Sequence, residues 1–324
     1  MFSATRPDRR GAVRALTLAL ALVVAACATA TAGATVKPLV LPRHPRVLVF
    51  SPHPDDETLA AGGLIRRLVD AGAPVKVAFL TNGDGWPWAA EADFHVTKPT
   101  DTDYVAMGEL RQREAIAATR RLGVRKRDVA FLGFPDGGLA ELWQAHWSRA
   151  HPYTSPYTRE DSPPYDDTLN PDVDYDGQDL TSVISRLLRT FQPNVVIVAH
   201  PYDVHLDHAH TGYFVIEAVD ALQARHQLPR DVLLLTYLVH SGVWPPAPGP
   251  RPDRMPPPSA SVIPDTTWYE VKLTPEELAA KADALARYRS QEAVMNGFLQ
   301  RFLRRNELFG RLAPALETRI ASIH

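Results

Sequence analysis

The sequence predicts an α/β fold: a Rossmann-like, mostly parallel sheet with helices on both faces and long irregular insertions. Three observations carry that expectation. Short apolar runs recur between turn residues, the segments joining the first of them repeat apolar residues at helical spacing, and polar clusters directly follow two of the runs. The ends of strands are where open α/β sheets gather functional groups.

The first run, residues 46–50, contains the uninterrupted apolar stretch Val47-Leu48-Val49-Phe50 and reads as a buried strand. Residues 59–71 follow as a helix with Leu64, Ile65, Leu68 and Val69 on its apolar face. A strand at 75–80, a helix at 104–122 closed by the stop signal Gly123, and a strand at 129–132 complete the first half. Strand, helix, strand, helix, strand implies right-handed crossovers and a sheet covered on both faces. From 137 to 179 the periodicity dissolves into an insertion rich in Trp, Tyr, Pro and Asp. Its aromatics Trp143, Trp147, Tyr153, Tyr157 and Tyr165, with Trp86 and Trp88 before it, can stack on sugar rings or pin the insertion to the body. The tract from Asp172 to Asp179 matches the opening of a calcium loop, but Val183 stands where the bidentate glutamate belongs. Asp179 is therefore expected to cap a helix over 180–191. Further strands are expected at 195–199, 232–239 and 268–273, with a proline-rich surface connector at 244–264. In Thr274-Pro275-Glu276-Glu277, Thr274 is the expected cap and Glu277 completes a capping box. No internal repeat is present.

The 324 residues, 45% hydrophobic and 22% charged, suit a globular domain. Residues 1–26 stand apart: Arg6, Arg9, Arg10 and Arg14 lead into the uncharged stretch 15–26, which has the length of a signal-peptide core and is short for a membrane span. Val24-Ala25-Ala26-Cys27 resembles a lipoprotein cleavage box, so Cys27, the sole cysteine, is expected to be lipidated; the other reading is a cut a few residues later. A disulfide within the chain is impossible. The expected organisation is a signal peptide at 1–26, a linker at 27–44 and one domain over 45–324. Processing removes four arginines and one aspartate from totals of 35 basic and 37 acidic residues, leaving a net charge of about −5. No basic patch for nucleic acid emerges. Membrane attachment is expected through lipid on Cys27 rather than through the folded surface, at the cell membrane or envelope, periplasmic or extracellular.

The first polar cluster is Pro52-His53-Pro54-Asp55-Asp56-Glu57, after the strand at 46–50; the second is His205-Leu206-Asp207-His208, after the strand at 195–199. A catalytic zinc site commonly takes two ligands close in sequence and one distant, and keeps a position for water. His53, Asp56 and His208 fit that description. Asp55 and Asp56 are neighbours whose side chains diverge, so Asp56 can serve the metal while Asp55 acts as general base. His205 can overhang the same site and, protonated, steady an oxyanion, with Asp207 fixing its tautomer. Alone, each cluster is weak: a histidine in a loop is usually a surface or core residue, and Asp-Asp-Glu before a helix is often a dipole-favoured charge pattern.

Ser51–Glu57 together with His205–His208 resembles the LmbE-like, or PIG-L, family of zinc-dependent N-acetylglucosaminyl de-N-acetylases. Weaker matches are Leu80–Asp84, Arg111 to Ala115, Phe131–Asp136, the helix at 281–291 and Arg305-Asn306-Glu307, so that the resemblance covers roughly residues 45–310. It implies one zinc per chain on His53, Asp56 and His208, Asp55 as base, His205 with Asp207 as the oxyanion-stabilising pair, and Arg111 and Asn82 as substrate contacts. The expected function is removal of an N-acetyl group from an N-acetylglucosamine-type sugar or glycoconjugate. The rivals are an amidase acting on another amide-linked sugar conjugate, a two-metal phosphoesterase, and a non-catalytic glycan-binding envelope lipoprotein.

Overall fold

A computed structural model of the protein describes residues 36–247, 254–295 and 297–321. The expected signal peptide and Cys27 lie outside the described residues. Eight strands form one mixed sheet in the order β1-β7-β8-β6-β5-β2-β3-β4. They are β1 (Lys37–Pro38), β2 (Val47–Ser51), β3 (Val75–Thr81), β4 (Val129–Phe134), β5 (Val195–Ala199), β6 (Leu233–Tyr237), β7 (Thr266–Lys272) and β8 (Asn306–Leu312). All neighbouring pairs are parallel except those of β8 with β6 and β7. Lys37–Pro38, inside the expected linker, pairs with β7, so the domain begins earlier than the sequence suggests. The chain winds outward from β2 to β3 and β4 on one side and from β5 to β6 on the other. The boundary between β2 and β5 is thus a topological switch point, the crevice where such sheets bind ligands.

The strands alternate their side chains between two apolar layers. Leu48, Phe50, Leu80, Leu132, Val196 and Val198 pack with Leu180, Ile184 and Leu188 of α5 (Gly177–Phe191) and with Phe214, Val215 and Leu222 of α6 (Leu206–Ala224). On the other face Val47, Val49, Val77, Phe79 and Ile197 are fully enclosed. There α1 (Asp56–Asp70) lies on β2 and β3, and α7 (Pro275–Leu285) on α1 and α3 (Asp101–Arg121). Each fully buried Leu, Ile or Phe contributes about 2 kcal/mol. The remaining helices are α2 (Pro87–Phe94), α4 (Leu139–Gln144), α8 (Arg289–Glu292) and α9 (Pro314–Ala321).

The capping box at Thr274 and Glu277 forms as the sequence predicts, Thr274 Oγ1 accepting from Glu277 N and Glu277 Oε2 from Thr274 N. The expected cap of α5 is corrected. Asp176, in extended conformation, accepts from Asp179 N at 2.8 Å, and Asp179 sits inside the first turn, where its carboxylate meets Arg149 Nε at 2.7 Å. Gly177 begins the helix, which moves the cap three residues back.

A buried ion pair ties the C-terminal part to the helix that carries the first polar cluster. Lys281 Nζ lies 2.8 Å from Glu307 Oε1 and donates to Leu59 O at 2.8 Å, while Glu307 accepts from Gly63 N and Leu64 N at 2.8 Å each. Gly63 N and Leu59 O would partner each other in a regular helix, and both are met by buried side chains. A Cβ at Gly63 would lie 2.5 Å from the Leu273 side chain, which would have to shift to admit it. Lys281→Met leaves Glu307 buried without a counter-charge and is expected to destabilise the domain by about 3 kcal/mol in urea denaturation.

Glu217 on α6 tests the electrostatics away from any site. Partial burial alone raises its carboxyl to about 7, and its Oε2 has no hydrogen-bond partner. A raised acid stabilises the fold below its unfolded value, near 4.5, and that contribution is lost as pH climbs through 7. Glu217→Gln is therefore expected to match the parent at pH 4.5 and to exceed it at pH 8. The gain, reduced for solvent screening of a half-exposed group, is about 1 kcal/mol, read as a higher melting temperature at pH 8 only.

Candidate metal centre and active site

The carboxyl ends of β2, β3, β4, β5 and β6 meet around one cavity of about 350 Å³. His53, Asp55 and Asp56 come from the turn between β2 and α1; His205 caps α6 and His208 lies in its first turn. His53 Nδ1, Asp56 Oδ2 and His208 Nε2 form a triangle whose three edges are each 3.2 Å. Three ligands at about 2.0–2.1 Å from a tetrahedral ion stand about 3.3 Å apart, so the triangle has the dimensions of one face of a zinc site. If both imidazole nitrogens donate to Asp56, their own 3.2 Å edge sets two N–H groups against each other, whereas lone pairs converging on a cation satisfy all three edges.

A second layer of carboxylates fixes the ligands. Asp203 Oδ2 stands 3.3 Å from His208 Nδ1 and accepts from Val239 N and His240 N. Asp136 Oδ1 and Asp207 Oδ2 lie 3.0 and 3.2 Å from His53 Nε2. Each of them also anchors a neighbouring loop: Asp136 accepts from Gly85 N, and Asp207 from Gly137 N and Leu139 N. Such partners orient metal-bound imidazoles and raise their basicity. The electrostatics follow. Burial disfavours charge on His208, but Asp56 and Asp203 raise it to about 10; burial likewise opposes charge on His53, and Asp136, Asp207 and Asp56 outweigh it. Burial would raise Asp56, yet His208 and His53 hold it well below the usual carboxylate range. A pocket that draws protons onto two imidazoles so strongly also favours a cation between them, whose binding releases those protons.

Other groups of side chains come within 4.8 Å of one another, namely His53, His205 and His208; Asp56, His208 and His240; and His53, Asp136 and Asp207. The first two share His208 with the triangle and belong to one centre. The third gathers on the far nitrogen of His53, where the two carboxylates act as orienting partners.

Asp55 stands apart from the triangle on the cavity wall. Its backbone has φ 132°, a region that a non-glycine residue occupies only under constraint. The constraint is visible. Arg111 donates to Pro54 O at 2.7 Å and Gly83 O at 2.8 Å and reaches Asp55 Oδ2 at 3.4 Å. Asp55 N donates to Glu57 Oε2 at 3.2 Å, and Glu57 Oε1 accepts from Tyr288 Oη at 2.5 Å. Burial and then Asp56 push the Asp55 carboxyl well above the usual carboxylate range, against Arg111 and His53. A raised carboxylate facing a cavity is suited to exchanging protons.

His53, Asp56, His208, Asp55, His205 and Arg111 come together as the sequence predicts, but the partnerships differ in four respects. Asp207 pairs with His53 and the loop at 137–139, not with His205, because successive residues in the first turn of α6 point in different directions. His205 lines the cavity with its Nδ1 unpartnered, and burial, then His53 and His208, lowers it to about 4. These surroundings oppose the protonated form expected of it. Arg111 spends its terminal nitrogens on the turn that holds Asp55, so it positions that residue in addition to lining the cavity. Asn82 is fully enclosed just beyond β3, off the cavity wall, and both polar atoms of its amide lack a hydrogen-bond partner.

The sequence reading gave no role to Asp136, Asp203, His240, Gln291, Met295 or Phe298. Asp136 and His240 follow β4 and β6, so the strand-end rule that picked out the two clusters could have found them. Gln291, Met295 and Phe298 reach the cavity from behind α7, and no local pattern marks them. Of the aromatics, Trp86 and Tyr157 line the cavity, whereas Trp143 is buried against Phe214 and Tyr165 is buried with its hydroxyl on Asp84. Some of the aromatics thus pin the insertion to the body, and others face the cavity.

The family model described as GlcNAc-PI de-N-acetylase, PIG-L, matches residues 48–219, more than half of the chain. The chain is 30% identical over 205 residues to 1D-myo-inositol 2-acetamido-2-deoxy-alpha-D-glucopyranoside deacetylase of Mycobacterium sp. (strain KMS), across 60% of this chain and 55% of that protein. It is 30% identical over 182 residues to diacetylchitobiose deacetylase of Thermococcus kodakarensis, across 54% and 49% respectively. The chain therefore spans about half the length of the curated relatives it matches. Among solved structures, N,N'-diacetylchitobiose deacetylase from Pyrococcus horikoshii aligns with a TM-score of 0.50 at 21% identity, covering 86% of both chains, which shows the shared fold.

Proposed function

The chain belongs to the PIG-L family, and from that premise we propose that it hydrolyses the N-acetyl group of an N-acetylglucosamine-type amino sugar or glycoconjugate, using one zinc ion per chain. The observation that carries this reading is the triangle of His53, Asp56 and His208, 3.2 Å on each edge, beside a strained, proton-avid Asp55. Relatives named as deacetylases of acetamido sugars support the substrate class. Zinc bound by those three residues would supply Lewis-acid polarisation of the acetamide carbonyl and a more acidic water.

The protein's own groups do the rest. Asp55 accepts a proton from the attacking water and returns it to the departing nitrogen, which leaves as the amine while the acetyl carbon gains the oxygen. His205, neutral and free at Nδ1, donates from a ring N–H to the carbonyl oxygen as charge develops. Arg111 and Glu57 keep Asp55 aimed at the cavity, and Asp136, Asp203 and Asp207 keep the two imidazoles turned inward. Trp86 and Tyr157 offer faces on which a sugar ring can stack.

The proposed address is the cell envelope, with Cys27 as the lipidated mature N-terminus. Incubating the purified chain with N-acetylglucosamine, its short oligomers and envelope glycan extracts, and quantifying acetate, tests the activity. Release abolished by a chelator and restored by zinc is the expected result. No release from protein carrying one zinc would overturn the acetamido-sugar reading, and acylated products other than acetate would favour the rival amide.

A further inference from the structure

Among the described residues, most of the exposed large apolar side chains stand close in sequence to residues that line the cavity. Among the described residues seven large hydrophobics are exposed, and four of them, Trp88, Val204, Leu206 and Val243, flank residues that line the cavity. Trp88 lies two residues beyond Trp86, Val204 and Leu206 bracket His205, and Val243 sits in the turn closed by Ser241 and Trp244, three residues beyond His240. Val204 N donates to His240 O at 3.0 Å, so the three aliphatic residues come from two loops bonded to each other. All four positions follow the carboxyl ends of β3, β5 and β6 and so share one edge of the sheet. Val243 is 94% exposed and Trp88 70%. Side chains this exposed add little to folding, and several of them at the sheet edge that holds the cavity offer a surface for a covering partner.

We propose that this rim docks on a lipid bilayer, so that the mouth of the cavity faces the membrane surface. Composition favours a bilayer over a glycan polymer, because three of the four residues are aliphatic, whereas sugars are held by flat aromatic faces and hydrogen-bonding groups. An exposed tryptophan beside aliphatic residues suits the boundary between headgroups and acyl chains. The chain that precedes the domain points the same way. Eight residues lie between Cys27 and Val36, the first described residue, so the connection extends at most about 30 Å. A lipid on Cys27 therefore keeps a bilayer within reach of the domain without orienting it; this step rests on the lipidation reading given above. The rim supplies the orientation. With a net charge of about −5 in the processed chain, the contact is apolar and should be insensitive to anionic lipid content and to salt.

Because Cys27 is the only cysteine and is consumed by lipidation, a single introduced cysteine can be labelled cleanly. Val243→Cys reports on the rim. Leu169→Cys reports on the opposite edge, where Leu169 shares a hollow with Arg46 and Lys76 at the start of β2 and β3. Each full-length lipidated variant, carrying a fluorophore, is reconstituted into phosphatidylethanolamine–phosphatidylglycerol vesicles containing brominated lipid. At least twofold quenching at 243 with none at 169 is the expected result. Equal quenching at both, or none at 243 in vesicle-bound protein, overturns the proposal while leaving lipidation standing. If mass spectrometry finds Cys27 unmodified, the lipidation reading fails by itself, and the rim is then decided by vesicle partition of the unlipidated chain. In that case a tenfold loss on combining Val204→Ser, Leu206→Ser and Val243→Ser supports docking. No loss, or protection of the 243 label by glycan polymer instead of vesicles, overturns it.

Discussion

Asp55→Asn is expected to leave zinc content at one per chain and to lower acetate release by about 10³-fold, within the range for a positioned general base. Asp55 contributes no atom to the triangle of His53, Asp56 and His208, so the metal site should survive its neutralisation. The amide cannot accept the proton that the raised carboxyl is placed to take. Asparagine is nearly isosteric with aspartate and leaves the backbone bonds that hold the turn at φ 132° in place, so the turn should persist and the melting temperature should not fall. Zinc analysis, kcat and thermal denaturation on one preparation therefore separate chemistry from collapse. Activity close to that of the parent would remove Asp55 from the mechanism.

The distribution of what the sequence revealed follows from how far apart the interacting groups lie. The triangle was legible because each cluster follows an uninterrupted apolar run and because His53 and Asp56 share one turn. The sheet was legible from β2 to β7 through its apolar runs, and only the edge strand β1 and the charged β8 were missed. By contrast, β8 reads Asn-Glu-Leu-Phe-Gly-Arg-Leu, and its Glu307 looks like a surface residue until Lys281 and the backbone of α1 are seen to neutralise it. Asp207 was paired with His205 by adjacency in sequence, yet helix geometry turns it toward His53 and the loop after β4. Asn82 sits in a strand-end segment like the residues of the triangle, and only the fold shows that it is enclosed off the cavity wall. Pattern thus located the elements and the inner ligands, while the second layer required knowing which loops touch.

That second layer leads to a graded expectation at His208. His208→Ala removes one corner of the triangle and is expected to abolish stoichiometric zinc and, with it, measurable acetate release. It also leaves Asp56 and Asp203 buried without the imidazole that now favours their charged forms, so the metal-free variant should melt below the metal-free parent. Asp203→Asn is the contrasting change. The asparagine oxygen can still accept from Val239 N and His240 N, which keeps the loops after β5 and β6 joined at the loss of the bond from His205 N, but the negative charge 3.3 Å from His208 Nδ1 is gone. A weaker partner for that nitrogen makes Nε2 a poorer ligand, and zinc affinity should fall about 10–100-fold while saturating zinc restores most of the activity. If Asp203 merely held the loops, competition titration against a chelator would give the parent's affinity. A shift within that range, with the fold intact, would mean that the outer carboxylates set the basicity of the ligands as well as their direction.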